Sequence, residues 1–150
     1  LTNPVAPVQL NSDIGKFNSL GGKLINKGTI LEKGLGGFAI HHGIILENQG
    51  TYEFTDDGNL SADGISVNGG KSAFVNTGTV RKTGPTGDTS TSATSMINGP
   101  FNNQGGTVEA SYGTIVIGGD GASTGSQSPL FQPVRRPRWV NWIITAAPNS

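Results

Sequence analysis

A chain of 150 residues without cysteine is about one domain, long enough to bury a core with no disulfide staple. Its 24 glycines, scarce helix formers and plentiful β-branched residues exclude a helical bundle and point to an ordered, turn-rich, all-β protein. The net charge is zero, split between seven basic and ten acidic residues through Asp120 and a tail whose only charges are Arg135, Arg136 and Arg138, so the body carries no electrostatic footprint for nucleic acid.

Residues 1–13 read as an extended segment or cap. "LTNPVAPVQL" has neither the basic start nor the continuous apolar run of a signal peptide, and an initial Leu suggests a processed form or an excerpt. No apolar run nears the roughly 18 residues of a membrane helix, so no membrane insertion is expected. Absence of cysteine fits either a reducing cytosol or a bacterial exported protein.

From residue 24 the chain repeats itself. "LINKGTILEKG" (24–34) returns as "LENQGTYEF" (46–54), "FVNTGTVRKTG" (74–84) and, with one extra glycine, "FNNQGGTVEA" (101–110). This aligns Asn26, Asn48, Asn76 and Asn103, spaced 22, 28 and 27 apart, and likewise Thr29, Thr51, Thr79 and Thr107. Periods in this range mark solenoids and related repeat architectures. A faster beat of glycines, about every seven residues, separates short apolar pieces such as "KLI", "TIL", "FAI" and "IIL". Three such faces make a coil of about 21 residues, close to the shortest asparagine spacing. The chain is therefore predicted to form a right-handed parallel β-helix of about four to five coils over residues 14–119, with a flexible loop near 84–96.

The residue types have physical reasons. Coil corners need backbone angles that glycine adopts freely and asparagine tolerates. Stacked coils place equivalent residues about 4.8 Å apart, so the Asn and Thr columns form structural ladders. Ile30, Ile45, Val75, Val80, Val108 and Ile115 are expected inside and most acids outside, with Asp56→Ala or Asp57→Ala costing no more than about 0.5 kcal/mol. The alternative is an antiparallel sandwich or barrel, with "INKGT" as a hairpin loop. It explains each phrase alone but not the seven-residue beat.

The candidates for chemistry follow in chain order. His41 and His42 ("HHG") with Asp56 and Asp57 ("TDDG") resemble pieces of β-helical pectin hydrolases, where carboxylates and a histidine serve acid–base cleavage. Here the order is reversed and the flanking motifs are missing; two acids before a glycine also make a solvated turn. "GISVNGGKS" (64–72) misses the phosphate-loop spacing by one residue and precedes no helix-forming sequence. The Thr column could order water, but it supplies one Thr per coil where such faces carry two. "GGDG" (118–121) is half of one calcium-binding repeat. "GASTG" around Ser123 matches a nucleophile elbow, yet no His follows it, so it reads as a linker. The tail, 120–150, joins prolines, three Arg, Trp139 and Trp142; it reads as a tail or cap, with "WVNWII" as a cap strand or a dock for an anionic partner. No metal or cofactor set is expected.

The phrases "LINKGTILEKG", "ENQGTYEF", "FVNTGTVRKTG" and "FNNQGGTVEASYGTIVIGG" resemble the Gly/Asn/Thr-rich repeats of bacterial secreted and surface proteins, such as autotransporter passengers and filamentous-haemagglutinin-like adhesins. The resemblance implies a stalk, adhesive rod or scaffold outside the cell. The expectation is a structural or adhesive segment without catalytic activity, secreted or on the bacterial surface. It would meet cell-surface glycans or host or neighbouring surfaces weakly and multivalently. The competing expectations are a carbohydrate-active β-helix, lyase-like or glycoside-hydrolase-like, and a glycan-binding module.

Overall fold

Each glycine-bounded apolar piece becomes one short strand. The computed structural model describes residues 2–3, 8–10, 16–17, 22–62, 71–84, 93–119, 121–124, 126–127, 132–136 and 139–146. The chain starts with β1 (Thr2–Asn3), β2 (Val8–Leu10) and β3 (Lys16–Phe17). Four coils of three strands follow. They are β4 (Gly22–Asn26), β5 (Thr29–Glu32), β6 (Phe38–Ile40); β7 (Ile44–Asn48), β8 (Thr51–Phe54), β9 (Asn59–Ala62); β10 (Ala73–Asn76), β11 (Thr79–Lys82), β12 (Thr94–Asn98); and β13 (Phe101–Asn103), β14 (Thr107–Ala110), β15 (Thr114–Gly118). The strands β16 (Gly121–Ser123) and β17 (Ser126–Gln127) begin another turn before β18 (Gln132–Arg136) and β19 (Trp139–Thr145).

Every third strand stacks in one sheet. Sheet A runs β1-β4-β7-β10-β13-β16, sheet B runs β2-β5-β8-β11-β14-β17, and sheet C runs β3-β6-β9-β12-β15-β19-β18. All neighbours in sheets A and B are parallel, so the protein is a parallel β-solenoid and the antiparallel sandwich is overturned. Among the described residues, antiparallel pairing is confined to β15–β19 and β18–β19 at the C-terminal end of sheet C. The parallel pairing extends beyond the repeats on both sides, through β1 and β2 before residue 14 and β16 and β17 after residue 119. Strand β12 already begins at Thr94, inside the stretch expected to be loop.

The core follows period-two alternation, broken in β8 where Glu53 is buried as well. Leu24, Leu46, Phe74 and Phe101 point inward from sheet A, and Ile30, Tyr52, Val80 and Val108 from sheet B. Aromatic rings touch across coils, with Tyr52–Phe74 centroids 5.5 Å apart and Phe74–Phe101 centroids 5.2 Å apart. Such tilted contacts add specific attraction to burial. Ile45 and Val75 depart from expectation: both face outward and are only half-buried. The inward Asn48 and Asn76 end their strands, so period-two alternation sends Leu46, Ile44 and Phe74 inside instead.

The corner between sheets A and B holds the repeated Asn-x-Gly-Thr. Its glycines answer to close approach rather than to unusual backbone angles. A Cβ on Gly50 would collide with the Gly28 carbonyl, and one on Gly78 with the Gly50 carbonyl. The extra Gly105 behaves differently. It bulges out at φ +79° with nothing near it, leaving Asn76 opposite Asn103 and Thr79 opposite Thr107.

The tail closes one end of sheet C. Strand β19 turns back on β15, burying Ile144 completely, and the Ala146 N–H donates to the Gly113 carbonyl at 2.9 Å. Strand β18 forms the sheet edge and places Pro133 there, where a missing N–H is tolerated.

Candidate functional site

The four repeated asparagines form one continuous wire. Asn26 Nδ2 donates to Asn48 Oδ1 (2.6 Å), Asn48 Nδ2 to Asn76 Oδ1 (2.7 Å), and Asn76 Nδ2 to Asn103 Oδ1 (2.8 Å). The second hydrogen of Asn26, Asn48 and Asn76 goes to a backbone carbonyl of the next corner, at Thr51, Thr79 and Thr107, and that of Asn103 to Gly106 in its own corner. All four side chains are buried, where an unmet amide would be costly. Ser123 ends the wire by accepting from Asn103 at 3.3 Å, in register with it. At the other end Asn26 Oδ1 has no partner among the described residues, and Asn3 holds the next register position. The Thr column stands in register beside the wire, which uses its carbonyls.

A second polar cluster lies at the corner between sheets B and C. Glu32, Phe54, Lys82 and Ala110 share one inward column. Lys82 is fully buried, yet its Nζ reaches Asp57 Oδ1 at 2.9 Å, the Asp56 carbonyl at 2.8 Å and Ser95 Oγ at 3.2 Å. Ser95 Oγ in turn donates to the Asp56 carbonyl at 3.0 Å. Glu32 accepts a hydrogen bond from the Tyr52 hydroxyl through Oε2, while Oε1 is buried without a partner among the described residues. Burial raises the Glu32 carboxyl from its ordinary 4.5 to about 7, partly opposed by the Tyr52 hydrogen bond and the Lys82 charge. The Tyr52 hydroxyl is raised too, by burial and then by the Glu32 carboxylate. Outside this corner Glu53 forks between coils, accepting from Arg81 Nη2 (2.6 Å) and Nε (3.0 Å) and from Thr83 Oγ1 (2.6 Å).

Asp57 is thus no simple solvated turn, contrary to the expectation from "TDDG". Its carboxylate is the counter-ion of a buried ammonium, and truncation would leave that charge uncompensated. Asp56 caps the preceding coil by accepting from the Gly34 N–H at 2.8 Å. Glu32 and Glu53 are buried, exceptions to the expectation that most acids lie outside.

The histidines sit elsewhere. His41 and His42 occupy the corner between sheets C and A, with ring centroids 6.1 Å apart and His42 in the left-handed region at φ 59°. Strand β9 separates that corner of the solenoid from the one holding Asp56 and Asp57. The four acid–base candidates therefore form two pairs rather than one constellation. Of "GISVNGGKS", residues 64–70 lie outside the described residues; Ser72 Oγ accepts from the Gly43 N–H at 3.1 Å. Asp120 of "GGDG" also lies outside them, and Ser123 of "GASTG" belongs to the asparagine wire. No three His, Asp or Glu side chains among the described residues converge as a metal site would need.

Sequence reasoning passed over Glu32, Lys82 and Ser95. The signal was present: counting by twos from an inward Ile30 or Val80 places Glu32 and Lys82 inside. No family model, no curated protein and no solved structure matches this chain.

Proposed function

We propose that this chain is a structural or adhesive segment of an exported bacterial surface protein, similar in kind to autotransporter passengers and filamentous-haemagglutinin-like adhesins. It acts as a rod with no active site of its own. The unbroken asparagine wire carries this reading, because it ties each coil to the next through its buried side chains. A stack held in this way presents its outer faces as columns. Thr29, Thr51, Thr79 and Thr107 stand beside Leu31, Glu53, Arg81 and Glu109, one set per coil. Each coil then offers a small, repeated contact, and attachment to glycans or neighbouring surfaces gains strength through the number of coils engaged. The separation of His41 and His42 from Asp56 and Asp57 supports the same reading.

The test compares one copy with tandem copies on immobilised glycans and cell surfaces, alongside incubation with pectins, alginates and chitins. Retention should rise steeply with copy number, and no new reducing ends or unsaturated products should form. Turnover abolished by Asp57→Asn or His42→Ala would replace the rod with a carbohydrate-active enzyme.

A further inference from the structure

We propose that Lys82 and Asp57 become joined by an intramolecular amide bond, which clamps the coil of β7–β9 covalently to the coil of β10–β12. This goes beyond the rod reading and does not depend on it. Three observations point to it. The Lys82 amine is fully buried, with Nζ 2.9 Å from a carboxylate oxygen of Asp57. The Asp57 side chain keeps 21% of its surface exposed, which leaves a way out for water. Glu32, a third carboxyl in the same corner, has a buried oxygen that no group among the described residues satisfies. That oxygen lies against Gly58, the residue after Asp57, so closely that a Cβ there would collide with it.

The chemistry is a condensation. Within the ion pair the ammonium passes a proton to the carboxylate, leaving a neutral amine and a neutral acid. A desolvated lysine amine is a competent nucleophile. Its lone pair attacks Asp57 Cγ, the Nζ–Cγ bond forms, and one Cγ–O bond breaks. The departing oxygen leaves as water with the protons that balance the step. Glu32, whose carboxyl burial raises to about 7, serves as the acid of the corner: it returns a proton to the leaving oxygen, recovers one from the amine and ends as it began. No oxidant, metal or cofactor enters the balance. The product's remaining N–H already has an acceptor, the Asp56 carbonyl at 2.8 Å. Two effects favour the amide over the ion pair. A neutral amide removes the desolvation penalty of two opposed charges. Fixed proximity is worth an effective concentration on the order of 10⁵–10⁸ M in well-oriented intramolecular reactions.

The experiment is intact-mass measurement of the purified chain, followed by proteolysis and fragmentation. The expected mass is that of the sequence less one water, with a branched peptide joining the segments around Asp57 and Lys82. Lys82→Arg and Asp57→Ala should both restore the full mass. Glu32→Gln should slow the loss of water at least tenfold in a time course after refolding. A wild-type chain at its full sequence mass would overturn the proposal without any variant having to fold. So would a water loss that survives Lys82→Arg, which would mark cyclisation at Asp57–Gly58 instead. Unchanged kinetics in Glu32→Gln would remove Glu32 from the step.

Discussion

Asn48 accepts one hydrogen bond from Asn26 and donates two, to Asn76 and to the Thr79 carbonyl. Asn48→Ala would strand a donor hydrogen on Asn26 and leave Asn76 Oδ1 and the Thr79 carbonyl each short of a bond. At about 1–3 kcal/mol per buried unmet group, with partial relaxation, urea unfolding should show a loss of roughly 3 kcal/mol. The asparagine column was legible because a buried amide has only one economical solution in a stack, and the same letter must recur in every coil. Glu32 was not legible, since a single acid at the end of "TILE" resembles any surface charge. Its raised carboxyl carries a pH signature. The folded state holds the proton up to about pH 7, whereas the unfolded chain releases it near 4.5. Protonation therefore favours the fold below pH 4.5, and that contribution fades as pH rises through 7. The difference amounts to about 3 kcal/mol. Glu32→Gln should flatten the fall in stability between pH 5 and pH 8, measured by urea midpoints against wild type. An unchanged slope would show that Glu32 titrates normally.

Each element is too short to be stable alone, so its place is set by what lies above and below it. Gly78 and Gly105 separate two reasons for glycine. Gly78→Ala would push a methyl into the Gly50 carbonyl of the coil below, and should cost at least about 3 kcal/mol. Gly105→Ala meets no atom and pays only for its left-handed angle, about 1–2 kcal/mol. Thermal unfolding of the two variants should rank them in that order; equal losses would mean the corner relaxes freely. Sequence reading found the corners but assigned them wholly to backbone angle, because stacking distances are invisible in one chain's letters. The same blindness placed Ile45 and Val75 inside. Apolar composition suggested burial, while parity counted from Asn48 and Asn76 would have turned both outward.

Across the whole molecule, the three-faced coil was legible from glycine spacing, since three strands and three corners must fit one period. The antiparallel return of β19 was not, because no repeat announces it. Its role is to cover β15 at the end of sheet C, and a chain ending at Gln127 would expose that strand's hydrogen-bonding edge. Such a chain should associate more than the full chain in light scattering at equal concentration. If it stayed as dispersed, β19 would not be acting as a cover. The uneven coils have a mechanical consequence. Register partners in sheet A lie 22, 28, 27 and 20 residues apart, as Gly22 with Ile44, Ile45 with Ala73, Phe74 with Phe101, and Phe101 with Gly121. Without the amide proposed between Lys82 and Asp57, a pull on the two ends would peel coils one after another, each releasing slack in proportion to its residues. At about 3.3–3.6 Å per residue, each step would lengthen the tether by roughly 70–100 Å. Under tension the molecule would pay out in unequal lengths, like a rope coiled by hand.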